Sequence, residues 1–150
     1  MKVRPLQPAD LEKWSRMRTA LWPHCTIEVN RLEINLMLSK PDRCVIFVSE
    51  RDNGELNGFI EVGLRDVAQD CYTSPVGYIE GWYVDPDVRR TSIGRALVEA
   101  GENWARSKGC TEMASDAHVT NEISHEAHQH LGYERGEAIV TFHKKLALPA

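Results

Sequence analysis

Residues 74–98, SPVGYIEGWYVDPDVRRTSIGRALV, run from an apolar stretch through a basic turn directly into an amphipathic one, and few folds accommodate that order. Residues 78–84 are rich in aromatic and β-branched types and predict a strand, which Asp85 and Pro86 stop. From Ile93 the apolar positions Ile93, Ala96, Leu97, Ala100 and Trp104 recur every three or four residues, one face of a helix that Lys108 and Gly109 close. The turn between them, Arg89-Arg90-Thr91-Ser92-Ile93-Gly94-Arg95, sets helix N-terminal N–H groups beside arginines and hydroxyls. That combination suits a phosphate. A basic helix start on a solvated face is the competing reading.

The chain of 150 residues is long enough for one domain with a self-sufficient core, and residues 1–150 are expected to form a single one. With 42% hydrophobic and 27% charged residues it reads as an ordinary soluble globular protein. A net charge of −4 argues against nucleic acid and for cationic partners. Cys25, Cys44, Cys71 and Cys110 form no CxxC pair, so neither a metal site nor a redox motif is expected. The N-terminus lacks the apolar core of a signal peptide, and no run is long enough to cross a membrane. The expectation is a cytoplasmic protein with no membrane partner.

Residues 2–5 predict a short strand, and Pro8-Ala9-Asp10 opens a helix carrying Leu11, Trp14, Met17, Arg18 and Leu21 near one face, ended by Pro23. Thr26 caps a second helix with Ile27, Leu32, Ile34, Leu36 and Leu38, closing near Pro41. Trp22, in the bend between them, either lines a cleft or plugs the helix pair. Residues 44–50 and 56–65 predict strands joined at Asp52-Asn53-Gly54 and paired antiparallel. A polar loop covers 66–76. After the central strand and helix come a strand over 112–116, a helix over about 123–131 ended by Gly132, and one or two closing strands in 133–146. The order predicts a mixed α/β sheet with helices on both faces.

The turn at 89–94 resembles the acyl-CoA-binding motif of the GNAT superfamily of acetyltransferases, with Arg89 and Gly94 at its two ends and Ser92 in place of the first glycine. Ser92 serves there only if the loop needs no positive φ at that position. The element order also resembles the GNAT fold, a mostly antiparallel mixed sheet. Leu21-Trp22-Pro23, Glu80-Gly81, the EMASD run at 112–116, NEIS at 121–124 and HQHLGY at 128–133 resemble the aminoglycoside 6'-N-acetyltransferases within it.

That resemblance implies an N-acetyltransferase using acetyl-CoA, with no metal, that modifies the 6'-amine of aminoglycosides by direct attack in a ternary complex. It implies that Trp82, Tyr83 and Val84 on a splayed central strand hold the pantetheine arm, with the Val84 N–H as oxyanion donor. Arg89, Arg90, Thr91, Ser92, Ile93, Gly94 and Arg95 then form the phosphate loop, and Asn121 contacts pantetheine or caps its helix. Glu80, a carboxylate in an apolar strand, is the candidate base, and Asp116 at a strand end contacts the amino sugar. Trp22 and Glu137 carry over as substrate contacts, with Asp70 a weaker one. His128 stands where many GNAT enzymes place a tyrosine acid, although His125 and His130 make a histidine-rich polar face the other reading. A homodimer is expected by the same analogy. The alternatives are acetylation of a polyamine or a protein N-terminus, or a non-catalytic acyl-CoA sensor.

Overall fold

In the computed structural model residues 2–150 are described, and they fall into two compact units that divide after Asp116. The first unit is built on five strands in the spatial order of the chain: β1 (Lys2–Pro5), β2 (Cys44–Glu50), β3 (Leu56–Arg65), β4 (Val76–Val84) and β5 (Met113–Ser115). β1 to β4 pair antiparallel and β5 joins β4 in parallel, the mixed sheet the sequence implies. The chain reverses between β2 and β3 at Gly54, whose φ of +87° is the left-handed turn that Asn53-Gly54 supplies without steric cost.

Helices cover both faces of this sheet. α1 (Leu11–Leu21) and α2 (Ile27–Leu38) enclose a core in which Trp14 and Met17 meet Ile46, Val48 and Phe59, with Ile34 and Met37 packed against it. α3 (Ile93–Ser107) lies on the other face and buries Ile93, Leu97, Val98, Gly101 and Ala105. Gly101 is required there: a Cβ on it would sit 2.8 Å from the Val62 side chain, so the helix backbone rests almost directly on β3. α2 departs from its predicted stripe, because Ile27, Leu32, Leu36 and Leu38 are exposed and the core face is carried by Asn30, Ile34 and Met37.

One irregularity in β4 fixes what each face receives. Glu61 pairs with Gly81 but Val62 pairs with Ile79, so Glu80 is an extra residue opposite the β3 backbone, a β-bulge. On the N-terminal side of the bulge Gly77 and Ile79 face α3, and beyond it that parity passes to Trp82, against which Gly94 of α3 packs. The other face receives Tyr78, Glu80 and Gly81, next to β3's Glu61 and Gly63.

The second unit contains α4 (Glu122–His130), whose first turn is capped by the Asn121 side chain accepting from the Ser124 N–H at 3.1 Å. The helix ends where Gly132 takes φ +91°. The closing strands expected in 133–146 do not form: that stretch is without regular structure and, beyond the half-buried Tyr133, exposed. Alternating side chains give a segment strand propensity, but a strand needs a neighbour to ladder with. Within this unit α4 is the only regular element among the described residues.

Candidate active site

β4 and β5 pair over only three positions, Gly77 with Met113 through Ile79 with Ser115. Beyond Ile79 the sheet opens along that edge of β4. The Asp85 N–H donates to the Asn57 carbonyl at 2.8 Å, opposite it on β3, and antiparallel pairs alternate between bonded and non-bonded. Tyr83 and Gly81 therefore aim their backbone groups at β3, whereas Trp82 and Val84 aim theirs into the opening. The Val84 carbonyl is taken by Arg89, whose Nε donates to it at 2.8 Å, and the Arg89 guanidinium stands 5.8 Å from the Tyr83 ring centroid. By the same alternation the Val84 N–H is directed away from β3.

The basic loop sits at the end of this opening. Arg90 takes φ +64°, so the left-handed residue of the loop is Arg90, and Ser92, at φ −76°, has ordinary helical geometry that a serine adopts without strain. Thr91 Oγ1 donates to the Val88 carbonyl at 2.6 Å and lies 3.4 Å from the Ile93 N–H. The α3 ladder starts with the Ala96 N–H on the Ser92 carbonyl, so the N–H groups of Gly94 and Arg95 precede it and face outward. These donors, together with Arg90 and Arg95, can hold an anion. A Cβ at Gly94 would lie 3.2 Å from the Trp82 ring, so a side chain there would require the ring to give way slightly.

Four polar groups line the α1-side face of β4. Arg65 Nε and Nη2 donate to the two Glu80 oxygens at 2.9 and 2.8 Å. The same guanidinium lies 3.4 Å above the Tyr78 ring centroid, and Tyr78 donates its hydroxyl to Asp116 Oδ2 at 2.6 Å. Burial, then the bond to Asp116, push the Tyr78 phenol well above its usual range, so it stays a donor. The Glu80 bond raises Arg65 in turn. Glu80 is thus an exposed, paired carboxylate at the bulge and not a charge buried in an apolar strand. Trp22 closes this surface: a Cβ on Gly81 would meet its Cη2 at 2.5 Å.

The carboxylate buried within the sheet is Glu61, 2% exposed in the middle of β3, which accepts from both Arg18 and the Trp14 Nε1–H. Burial pushes its carboxyl upward against the pull of Arg18. The sequence carried the same signal at both positions, a glutamate in an apolar run, and the bulge decides which one is exposed. Arg65 and Tyr78 were not singled out, although an arginine at the polar end of β3 and a tyrosine two residues before Glu80 are visible as same-face neighbours once the register is known.

In the second unit His128 is tied by Nδ1 to the Ser124 carbonyl at 2.7 Å, with Tyr133 edge-on at 5.9 Å. That bond places the proton of a neutral ring on Nδ1, leaving Nε2 an acceptor. His125 Nε2 meets the His118 carbonyl at 2.9 Å. Glu137 is exposed in the extended segment, and Asp70 is exposed in the 66–76 loop at φ +63°. Among the described residues no three His, Cys, Asp or Glu side chains are placed to hold a metal.

A mixed sheet that opens beside a central strand, with a helix N-terminus at the end of the opening, defines an α/β fold of the acyltransferase kind. The Acetyltransferase (GNAT) family matches residues 9–133, and the chain belongs to that family. It is 41% identical over 146 residues to an aminoglycoside N(6')-acetyltransferase type 1 of Klebsiella aerogenes, covering 96% of each chain. The corresponding enzyme of Stenotrophomonas maltophilia is 37% identical, covering 96% of this chain and 93% of the relative. AAC(6')-Iy, solved with the bisubstrate analog CoA-S-monomethyl-acetylneamine, superposes with a TM-score of 0.89 at 32% identity, over 97% of this chain and 98% of that one.

Proposed function

We propose that this protein is an acetyl-CoA-dependent N-acetyltransferase acting on the 6'-amine of aminoglycosides. The observation that carries the reading is identity of 41% across nearly the whole of a curated aminoglycoside N(6')-acetyltransferase. The family match runs across the division between the two units, which supports reading residues 1–150 as one catalytic domain.

In the proposed reaction the neutral 6'-amine attacks the thioester carbonyl, the C–N bond forms as the C–S bond breaks, and coenzyme A leaves as a thiol after taking up a proton. The opening beside Trp82, Tyr83 and Val84 accommodates pantetheine. The Val84 N–H supports the oxyanion, and Arg89 acts by fixing the Val84 carbonyl. Arg90, Thr91, Ser92, Ile93, Gly94 and Arg95 hold the pyrophosphate. The Asn121 amide keeps a free donor for pantetheine while its oxygen caps α4.

Glu80 accepts the proton that the ammonium must lose. With both oxygens on Arg65, it becomes available when the incoming cation exchanges for the guanidinium. Asp116, Glu137 and Trp22 hold the amino sugar, and a polycation suits the acidic groups. His128 can protonate the thiolate from Nε2 only as an imidazolium, given the Nδ1 bond. We further propose a cytoplasmic homodimer. The support for self-association is that Val140, Phe142, Leu146 and Leu148 are exposed apolar side chains in the C-terminal segment.

The test is thiol release from acetyl-CoA across a panel of aminoglycosides, polyamines and peptides. Turnover confined to 6'-amino aminoglycosides is the expected result. Preference for spermidine or for peptides overturns the substrate, and thiol release with none of them overturns the enzyme reading.

A further inference from the structure

Arg18 is 1% exposed and the most heavily bonded side chain of α1. Its Nη1 donates to both oxygens of Glu61 at 2.6 and 2.5 Å, its Nε donates to Asn30 Oδ1 at 2.8 Å, and its Nη2 lies 3.3 Å from Glu33 Oε2. Trp14 Nε1 donates to Glu61 Oε2 at 3.0 Å, and Asn30 Nδ2 to Ser15 Oγ at 2.9 Å. An apolar pair of similar volume would hold α1 to β3 about as well, because desolvating two charges offsets most of what their attraction returns. The geometry points to a different use.

The guanidinium carbon lies over the Trp22 ring, 4.7 Å from the centroid, and Trp22 is one turn on, its backbone N–H on the Arg18 carbonyl at 2.8 Å. The opposite edge of the indole rests on Gly81, where a Cβ would stand 2.5 Å from Cη2 and 3.2 Å from Glu61 Oε1. Glu61 and Gly81 are paired residues at the bulge, and Glu80 is the bulged residue beside them. One ion pair therefore fixes the ring from below and the strand residue it leans on. Arginine matters because its planar fork satisfies Glu61 and Asn30 while offering its face to an aromatic ring, which an ammonium cannot do.

We infer that Arg18 and Glu61 are positioning residues that lock the Trp22 indole against Gly81 as the fixed wall of the amine site beside Glu80. The inference rests on the substrate reading above for what the wall contacts, and on geometry alone for the locking. The test compares the native enzyme with the double variant Arg18→Met/Glu61→Gln, which removes both charges together and leaves Trp14 an acceptor. Protein labelled with 5-fluorotryptophan reports the ring directly, the Trp22 line being assigned by its loss in Trp22→Phe.

The expected result is a cooperatively folded double variant whose Trp22 fluorine line shifts or broadens. Its Michaelis constant for the aminoglycoside rises roughly three- to thirty-fold, and that for acetyl-CoA stays native. Gly81→Ala, which keeps both charges and crowds the ring and Glu61 Oε1 from the other side, should do the same, so a double variant that fails to fold does not end the test. A native Trp22 line, or a native aminoglycoside constant with a shifted line, in either folded variant overturns the inference. If the native enzyme acetylates no aminoglycoside, the functional reading fails, and the fluorine line alone then decides the locking.

Discussion

Arg90 spends its backbone in a region that favours glycine, at φ +64°, in the loop proposed to hold the pyrophosphate. A non-glycine side chain in that conformation costs about 1 kcal/mol. Arg90→Gly and Arg90→Ala both remove the charge, but only glycine removes the strain. Both are expected to raise the Michaelis constant for acetyl-CoA, with the glycine variant melting roughly 2–4 °C above the alanine one by calorimetry. Equal melting temperatures would show that the left-handed turn is not kept in solution. Glu80→Gln keeps shape and removes the charge; turnover should fall by roughly 10²–10⁴ at neutral pH and recover partly at high pH, where free amine is abundant. A native pH profile would exclude it as base, and a loss confined to the Michaelis constant would make it only a cation holder. Residue types were legible from sequence, as the two glutamates show. Their surroundings were not, because whether Glu61 or Glu80 is buried depends on a register shift of one position.

Elements were more legible where their signal was local. The β2–β3 hairpin, the α3 boundary at Gly109 and the caps at Thr26 and Asn121 follow from residues a few positions apart. The exposed leucines of α2 and the absent closing strands share the opposite cause: hydrophobic periodicity names a face without naming what covers it. Asn121 allows cap and ligand roles to be separated. Asn121→Asp keeps an oxygen for the Ser124 N–H and discards the amide donor, whereas Asn121→Ala loses both. Helix content and melting should survive in the aspartate variant and fall by about 1 kcal/mol in the alanine one, while acetyl-CoA binding by calorimetry weakens in both. Unchanged acetyl-CoA affinity in the aspartate variant would leave the residue a cap only.

For the whole molecule, a net charge of −4 and the exposed apolar positions near the C-terminus make separate claims. The aminoglycoside constant should rise with ionic strength between 50 mM and 0.5 M salt, as screening shortens to a few ångströms. A constant independent of salt would remove the electrostatic account of substrate capture. Phe142, 91% exposed, is the apolar side chain on which the proposed dimer contact is tested. Phe142→Asp should convert a dimer to a monomer by sedimentation, and a native protein that already sediments as a monomer would end the dimer proposal. The bulge at Glu80 reaches further than either. Because the strand changes frame there, Glu80 and Gly81 belong to one side of the sheet and Trp82 to the other. Substitutions that retune the face proposed to hold the amine can therefore accumulate without altering the wall that faces α3, and on that proposal drug preference can drift in evolution while the demand for acetyl-CoA stays constant.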